Sequence, residues 1–569
     1  MTAARTEVRQ LLIASDPDAL VAAFVRPDDH VHLAATMSRP NALQRSLARV
    51  FADQGQLVVS TPAVHSSAHA LALSGCCRKL VTGFLGDTYP SPRPNPLYRD
   101  AHVSKPFEVE LWSLLTYTQR LMAAALGQPY ATTGSDLLGT GLGKGKEGSI
   151  CSVQIGGDTV TLMTPLRPDV ALYHGVCADT NGNIVICAPH GEGPSAAYAA
   201  RRGVIASVER IVEPEELSEM ADHVLIPASR VLGICEARYG AHPNSLRTRG
   251  LAGIDSYLDD FNHLRSIVDA CATEEGARRW YEDWVLNGDY SEYVRKLEAD
   301  GALARIDMAA PTASCSTKEM DIPSEPTRQE RLIILGARAI RRLVEERGYD
   351  TLLAGIGTSH MAAWVACQQL RSAGRPIVFA AELGIVADSP AAGDVFLFSQ
   401  RHANKAQMLA GIPEVLGGLV AANDRCLGVL SAAEIDQSGN LNTVRLPNGR
   451  WITGSGGAND IASSSDCVVI APASPHRYVR SLEHTTSPGS KVQALVAQFG
   501  AFTRTDDGSF ALSSWLPLDT PDAPDTPEAT VARFTMWDDA VSGPSLREEP
   551  ISAEELACVR AMDPQGDYR

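Results

Sequence analysis

Apolar residues recur with a helical period in the part of the chain that follows residue 326. Thr327 and Glu330 form a capping-box pattern, which predicts that a helix begins there, and Gly348 is typical of a helix end. The apolar face of this helix comprises Leu332, Ile333, Leu335, Ile340, Leu343 and Val344.

Shorter apolar segments follow this helix. Thr351–Ala354 and Ile377–Ala381 predict strands, and Met361–Leu370 predicts a helix between them. Because a strand–helix–strand unit places its two strands in parallel, we expect a parallel sheet covered by helices. We expect the same architecture, with less regularity, in the first half of the chain.

A segment whose apolar residues follow neither a helical nor a strand period separates two halves of the chain. Residues 309–325, AAPTASCSTKEMDIPSE, are rich in proline, serine and threonine, as is typical of a linker. A second irregular run extends from residue 517 to 527. We therefore predict a first domain over residues 1–310, a linker over 311–328, a second domain over 329–515 and a C-terminal extension over 516–569.

Both halves contain the pattern D-x-x-G-N between two strand-like stretches, at Asp179–Ile184 and at Asp436–Leu441. Asp and Asn stabilise tight turns and Gly accepts positive φ, so each pattern predicts a strand–turn–strand connection. The repeat favours an ancient duplication, although two unrelated hairpins would also explain it. The predicted fold class is α/β, with two related, open, mostly parallel sheets flanked by helices.

Composition and charge narrow the classes of partner. The chain has 569 residues, too many for a single core, and a formal net charge of −17. This charge argues against nucleic acid or an anionic membrane surface as a partner, and no stretch is apolar enough to span a membrane. The N-terminus lacks the apolar core of a signal peptide, and the 12 cysteines include no C-x-x-C pair. We therefore expect a cytoplasmic protein with reduced cysteines.

A glutamate at the end of the second predicted strand is the first candidate for chemistry. Glu382 directly follows Ile377–Ala381, and functional groups of open α/β sheets cluster at the carboxyl ends of strands. Gly384 allows a ligand or another backbone segment to approach the carboxylate closely. Taken alone, the pattern also fits a solvated acid in a surface loop.

Two glycine-containing loops are candidates for binding negative charge. The first contains Gly454, Gly456 and Gly457, followed by Ala458 and Asn459, and its N–H groups could face an anion or a developing oxyanion. The second contains Gly355 and Gly357 at a predicted helix N-terminus, where free N–H groups favour anions. A flexible turn in the first case and a plain strand-to-helix turn in the second remain open.

Several other motifs are absent. No G-x-x-x-x-G-K-[ST] pattern can be aligned on Leu138–Lys146, and neither G-x-S-x-G nor H-E-x-x-H occurs. The 14 histidines show no metal-ligand spacing, so no metal site is predicted. His242 lies in the distinctive segment Arg238–Pro243, where it is either a substrate contact or part of a turn.

In combination, these motifs resemble glutaconate CoA-transferase of CoA-transferase family I, with the two types of subunit of that enzyme joined in one chain. In the second half, the D-x-x-G-N hairpin, the Thr453–Asn459 glycine loop and the Thr486–Gly489 turn resemble its B-type subunit. In the first half, Tyr239–Pro243 and the region from Trp284 to Tyr293 resemble the end of its A-type subunit.

The resemblance implies a reaction as well as a fold. It implies that Glu382 is the catalytic glutamate, that the active site lies between the two domains, and that CoA moves from an acyl-CoA to a carboxylic acid. The implied cycle is ping-pong, through a glutamyl-CoA thioester, with no bound cofactor. N–H groups of the Gly454–Asn459 loop are the expected oxyanion stabilisers and neighbours of CoA, supported by the Gly355–Gly357 loop. By analogy, the resemblance allows a homodimer.

The chain also departs from the family. Leu33–Met37 stands where the family has a glycine-ended strand, and the match is poor between Val64 and Lys144, which includes the proline-rich Tyr89–Leu97. The substrate is therefore less certain than the reaction type. Two alternatives remain: hydrolysis of a thioester or a C–C bond with Glu382 as general base, and a CoA-sensing protein without catalysis.

Overall fold

A computed structural model of the chain describes residues 11–307, 325–391, 393–518 and 524–569. Its strands in the first half are β1 Leu12–Ile13, β2 His30–Leu33, β3 Leu57–Ser60, β4 Ala63–Val64, β5 Cys77–Thr82, β6 Phe84–Leu85, β7 Glu108–Leu111, β8 Ala131–Thr133, β9 Ile150–Ile155, β10 Asp158–Met163, β11 Val170–Asp179, β12 Ile184–Val185, β13 Gly203–Val212, β14 Val224–Ile226 and β15 Val231–Glu236. Those in the second half are β16 Thr351–Ala354, β17 Val378–Ala381, β18 Ile385–Ala387, β19 Met408–Leu409, β20 Cys426–Leu430, β21 Glu434–Ile435, β22 Leu441–Asn442, β23 Asp466–Ile470, β24 Val492–Ala497, β25 Gly500–Arg504, β26 Phe510–Trp515 and β27 Leu546–Arg547.

The α-helices alternate with these strands. In the first half they are α1 Pro17–Phe24, α2 Asn41–Val50, α3 Ala70–Leu73, α4 Leu114–Ala125, α5 Gly193–Ala199, α6 Pro214–Ser218, α7 Phe261–Ala270, α8 Glu274–Tyr281, α9 Tyr290–Ala299 and α10 Ala302–Ile306. In the second half they are α11 Arg328–Arg347, α12 Thr358–Ser372, α13 Gln400–Lys405, α14 Ala458–Ser464, α15 Pro527–Phe534 and α16 Ala553–Met562. Segments of π-helix occupy Glu282–Leu286 and Pro413–Ala421.

Each half contains an open sheet with a parallel centre, as predicted. The first sheet has the order β1-β15-β13-β11-β2-β3-β5-β7, and all of these neighbours pair in parallel. The second sheet has β17-β16-β20-β23-β24 as its parallel centre and antiparallel strands on both sides. Helices cover the sheets, since strands with two apolar faces must be buried on both sides. The predicted α/β class is confirmed.

The elements predicted from the hydrophobic pattern are present. The Thr327 hydroxyl accepts the N–H of Glu330, and the Glu330 carboxylate accepts the N–H of Thr327, so the capping box begins α11. Gly348 ends this helix with a φ of 75°. β16 has the predicted bounds, β17 begins one residue later than predicted, and α12 is longer than predicted at both ends.

The two D-x-x-G-N segments form the same turn. In each, the aspartate accepts the N–H groups of the residues two and four positions later and the side-chain amide of the asparagine. The turn at Asp179 joins β11 to β12, and the turn at Asp436 joins β21 to β22, both as antiparallel pairs. The predicted connections are confirmed, and their shared hydrogen bonds favour a duplication.

The two halves share hydrophobic cores. Leu114 and Leu115 of the first half pack into a core of the second half, while Val444 and Trp451 pack into the core of the first half. The predicted linker over residues 311–328 lies outside the described residues up to residue 324, and α11 begins at residue 328.

The C-terminal extension packs on the second half. β27 adds to the edge of the second sheet beside β26. From α16, Glu555 pairs with Arg338 of α11 at 2.7 Å, and Arg560 pairs with Glu330 at 2.8 Å. No helix in the described part of the chain is long and apolar enough to cross a membrane.

Candidate functional site

A cavity of about 510 Å³ lies between the two halves. The second half contributes the segments that follow β16, β17, β20 and β23, so the cavity lies at the carboxyl ends of four parallel strands. This is the edge where open α/β sheets bind their ligands. The first half contributes, among others, Arg39, His65, Phe84 and Ser91–Pro94.

Glu382 lines this cavity directly after β17 and is only 8% exposed. The next turn depends on Gly384, which has a φ of 114° and whose carbonyl accepts the N–H of Ala410 at 2.8 Å. A Cβ on Gly384 would overlap the carbonyl of Ala410, so the glycine admits a neighbouring backbone segment rather than a ligand. The tight turn fixes the direction in which Glu382 leaves the strand.

Gly457 holds the carboxylate from the opposite side. Its backbone N–H faces the Glu382 carboxyl and acts to lower the pKa of this group. A Cβ at position 457 would lie 2.7 Å from Glu382 Oε1 and 3.0 Å from Cδ, closer than non-bonded atoms approach each other. The glycine at this position is therefore required by the carboxylate that packs against it.

The other N–H groups of the glycine loop bind protein acceptors. Gly454 donates to the carbonyl of Thr443 at 3.1 Å, Gly456 to the carbonyl of Gly83 at 2.9 Å, and Ala458 to the carbonyl of Ser455 at 3.0 Å. The sequence predicted a group of N–H donors facing the substrate. The structure differs because these donors fasten the loop to both halves, and among them Gly457 is the one that faces Glu382.

Asn459 does not line the cavity. It is fully buried, and its side-chain amide donates to the carbonyls of Asp136 and Thr486 at 2.9 Å each. It therefore ties the glycine loop to the first half and to the later turn that the sequence also singled out.

The Gly355–Gly357 loop lines the cavity at the N-terminus of α12, as predicted. The N–H of Gly355 donates to the carbonyl of Val429 at 3.2 Å, and that of Gly357 donates to Nδ1 of His360 at 2.8 Å. The loop thus forms part of the cavity wall, but the N–H groups of these two glycines already donate hydrogen bonds within the protein.

His242 lies elsewhere in the first half. Its Nδ1 is 2.7 Å from the hydroxyl of Tyr293 and its Nε2 is 3.3 Å from Asp260, and the imidazole is fully buried. It does not line the cavity, and burial lowers its pKa, with Asp260 opposing this shift. The structure does not bring this predicted substrate contact together with Glu382.

The electrostatic surroundings of Glu382 favour its neutral form. Burial raises the pKa of its carboxyl to about 8, the charge of Asp460 adds to this increase, and the Gly457 N–H opposes it. Asp460 is itself buried and accepts hydrogen bonds from Ser113, Ser135 and the N–H of Leu115. Burial raises the pKa of Asp460 to about 6. A desolvated carboxylate such as Glu382 can act as a nucleophile or as a general base.

Two segments that the sequence did not assign to a site also line the cavity. One is the proline-rich stretch, through Ser91–Pro94, and the other is the C-terminal segment Asp567–Arg569. They contact each other, since the hydroxyl of Tyr568 donates to the carbonyl of Pro90 at 3.2 Å. The departure of the proline-rich stretch from the family pattern was the one signal in the sequence that pointed to this wall.

Comparisons with known proteins agree with this geometry. Residues 15–237 match the family model described as Coenzyme A transferase. The A-type subunit of a 3-oxoadipate CoA-transferase from Pseudomonas knackmussii is 26% identical over 287 residues, which cover 48% of this chain and 94% of that protein. The B-type subunit of glutaconate CoA-transferase from Acidaminococcus fermentans is 34% identical over 71 residues, which cover 12% of this chain and 26% of that protein.

A solved structure has the same overall architecture. An acyl-CoA transferase from Escherichia coli O157:H7, in a thioester complex with CoA, superposes with a TM-score of 0.61 over 95% of this chain and 94% of that one, at 15% identity. The chain spans between 26% and 94% of the lengths of the curated relatives that it matches. The resemblance inferred from the motifs agrees with these findings: residues 15–237 are similar in sequence to coenzyme A transferases, and both halves together have the fold of an acyl-CoA transferase.

Proposed function

We propose that this protein transfers CoA from an acyl-CoA to a carboxylic acid in a ping-pong cycle, with Glu382 as the nucleophile. The observation that carries the proposal is the Glu382 carboxyl, buried at the carboxyl end of β17 in the cavity between the two halves and faced by the N–H of Gly457. The names of the relatives, which are CoA-transferase subunits, support the same reaction class.

In the first half-reaction, the ionised carboxylate of Glu382 attacks the thioester carbonyl of the acyl-CoA. The C–S bond breaks, CoA leaves as a thiolate, and an acyl-glutamyl anhydride remains on the enzyme. The thiolate then attacks the Glu382 carbonyl of this anhydride. The carboxylic acid leaves as its carboxylate, and Glu382 holds CoA as a thioester.

The second half-reaction reverses these steps with a new acid. The incoming carboxylate attacks the glutamyl thioester, releases the CoA thiolate and forms a new anhydride. The thiolate attacks the acyl carbonyl of this anhydride, which yields the new acyl-CoA and restores the Glu382 carboxylate. Every bond that forms replaces one that breaks, so no oxidant or reductant is needed.

Gly457 has a defined part in these steps. When the thiolate or the incoming carboxylate attacks the carbonyl carbon of Glu382, negative charge develops on the side-chain oxygen of this residue. The N–H of Gly457 already faces the Glu382 carboxyl, so it stabilises this charge with little reorganisation. This role replaces the broader set of donors expected from the sequence.

We further propose that the reaction takes place in the cytoplasm. The cysteines in the described part of the chain are free thiols, and most of them are buried. Free thiols that are not paired in disulfides are typical of a reducing compartment.

Intact-mass spectrometry tests the covalent cycle. The protein is mixed with a panel of acyl-CoAs, beside Glu382→Gln and the matched control Glu346→Gln, which changes an exposed glutamate on α11. We expect a mass increase of one CoA less one water in the wild type and in Glu346→Gln, but not in Glu382→Gln. Addition of a carboxylic acid should remove the adduct and produce its acyl-CoA.

The same experiment separates the alternatives. Loss of acyl-CoA that depends on Glu382 but leaves no adduct would reassign this residue as the general base of a hydrolase. An adduct that persists in Glu382→Gln would place the nucleophile elsewhere. Binding of CoA without turnover of any donor would leave a CoA-binding protein.

A further inference from the structure

The proposed cycle includes attack at two different carbonyl carbons. The N–H of Gly457 faces the oxygens of one of them, the carboxyl of Glu382. Negative charge also develops on the carbonyl oxygen of the acyl group when Glu382 attacks that group, and a donor directed at this oxygen stabilises the transition state. A second hydrogen-bond donor in the cavity wall would therefore accelerate the cycle.

His65 of the first half is a buried polar side chain that faces this cavity. It is 6% exposed, and it lines both the main cavity and a side cavity of about 40 Å³. Leu383, which directly follows Glu382, lines the same two spaces. His65 thus borders the part of the cavity that lies next to the proposed nucleophile.

The ring nitrogens of His65 have no partner in the described part of the chain. Nδ1 is buried without a hydrogen bond, and no described residue bonds to Nε2. By contrast, the buried imidazoles of His32, His69 and His174 each make hydrogen bonds through both nitrogens. A buried polar group without a partner is unfavourable unless a bound molecule supplies one, so this ring is available to a ligand.

The backbone on both sides fixes the place of His65. β4 ends one residue before it and pairs with β6, whose Phe84 forms a bridge with Gly454 of the glycine loop. Ser66 has a φ of 50°, in the left-handed region that residues other than glycine rarely adopt. Such strain persists where the surrounding structure holds it, and it is frequent at functional sites. His65 is thus tied to the loop of the second half that also faces Glu382.

The imidazole of His65 is neutral at neutral pH. Burial lowers its pKa well below the ordinary value, and the charges of Arg39 and His69 add to this decrease. A neutral ring carries one N–H and one acceptor nitrogen, so His65 can donate a hydrogen bond while it keeps its proton. A neutral imidazole can polarise a carbonyl group in this way.

We propose that His65 is a second catalytic residue, which donates a hydrogen bond to the carbonyl oxygen of the acyl group. This inference rests on the proposed function, since it takes Glu382 as the nucleophile. When the Glu382 carboxylate bonds to the acyl carbon, an electron pair of the C=O bond moves to this oxygen, where the N–H of His65 stabilises it. The pair returns as the C–S bond breaks and the thiolate leaves, and His65 keeps its proton throughout.

Single-turnover adduct formation tests this role. The wild type is compared with His65→Leu and His65→Phe, which remove both ring nitrogens, and with His65→Gln, whose amide retains a donor. We expect the leucine and phenylalanine variants to lower the limiting rate about 100- to 1,000-fold, with little change in the acyl-CoA concentration at half-maximal rate. His65→Gln should regain part of this loss. The control His102→Leu, at an exposed position, should react like the wild type.

Hydroxylamine separates this role from a general effect on the site. It attacks the glutamyl-CoA thioester at Glu382 directly, releases CoA and leaves a hydroxamate, so the acyl carbonyl takes no part. The adducts of the wild type and of each His65 variant are isolated from the released acid after prolonged incubation and are then mixed with hydroxylamine. We expect equal rates. A slower reaction of the variants would show that His65 supports the structure of the site and would overturn the proposal.

The remaining outcomes separate this inference from the proposed function. A wild type that forms no adduct would refute the covalent cycle, and the role of His65 with it. An adduct that the His65 variants form at the wild-type rate would refute the role of His65 alone. A higher half-saturating concentration at an unchanged limiting rate would make His65 a binding residue and would also overturn its catalytic role.

Discussion

The hydroxyl of Ser113 donates a hydrogen bond of 2.5 Å to Oδ1 of Asp460. Ser113 precedes α4 in the first half, whereas Asp460 lies in the first turn of α14, directly after the glycine loop of the second half. The N–H of Leu115 donates to the other oxygen of Asp460 at 2.9 Å. One of the contacts that join the two halves is thus made by the same carboxylate whose charge acts on Glu382.

The rate of adduct formation should depend on the ionisation of Glu382. Because burial raises the pKa of this carboxyl to about 8, only a minor part of the free enzyme carries the nucleophilic carboxylate at pH 7. We expect kcat/KM for the acyl-CoA to rise with pH to a plateau, with a midpoint near 8. Stopped-flow measurement of adduct formation between pH 6 and pH 10 checks this, and a flat profile would contradict it.

Asp460→Asn should move this midpoint to lower pH. The negative charge of Asp460 helps to raise the pKa of Glu382, and asparagine retains the shape and one acceptor oxygen without the charge. The same pH series on the variant measures the shift. Asp394→Asn is the matched control, since Asp394 is also a buried acid but does not contribute to the pKa of Glu382. An unchanged midpoint in Asp460→Asn would show that the charge has no effect.

Gly457→Ala should inactivate the protein without unfolding it. The added methyl would lie 2.7 Å from Oε1 of Glu382, so the carboxylate must leave its position. A displacement of about 1 Å from the reacting atoms costs on the order of 100-fold in rate. Single-turnover adduct formation measures this loss. Gly417→Ala is the control because a Cβ there meets no atom within 4 Å, and equal activity of both variants would refute the packing argument.

Glu382→Gln should stabilise the protein at high pH. The folded-state pKa of Glu382 is raised to about 8 from the ordinary value of 4.5, so the folded state binds a proton more tightly than the unfolded state does. The stability that this proton provides is fully present below the unfolded pKa and is lost as pH rises from about 4.5 through 8. The neutral amide avoids the loss, which is on the order of a few kcal/mol for a shift of this size.

Thermal unfolding of both proteins at pH 5 and pH 9 checks this prediction. The midpoint of Glu382→Gln should exceed that of the wild type by more at pH 9 than at pH 5. A difference that does not change with pH would mean that Glu382 titrates alike in the folded and unfolded states. Glu346→Gln, at an exposed position, should show no difference at either pH.

Local interactions account for the parts of the fold that the sequence predicted correctly. The capping box at Thr327, the glycine that ends α11 and the D-x-x-G-N turns each involve residues within a few positions of one another. The alternation of apolar strands and helices indicated the parallel sheets because only this connection buries both faces of the strands. The sequence singled out Glu382 as a candidate because this residue directly follows such a strand.

The site as a whole depends on contacts that are distant in sequence. Asp460 meets Ser113, and the proline-rich stretch meets Tyr568, and no local pattern encodes these pairs. The composition of the glycine loop correctly located it beside the cavity. It did not predict that the N–H groups of Gly454, Gly456 and Ala458 bind protein carbonyls.

The sequence by itself determined the α/β class, the place of Glu382 at the end of a strand and the resemblance to coenzyme A transferases, because these depend on periodicity, short turns and a conformationally permissive glycine loop. Only the tertiary structure decided which groups surround Glu382, how far burial raises the pKa of its carboxyl, and that segments of the first half line the same cavity. Burial and long-range charge are properties of the assembled interface, so they arise when the two halves pack against each other.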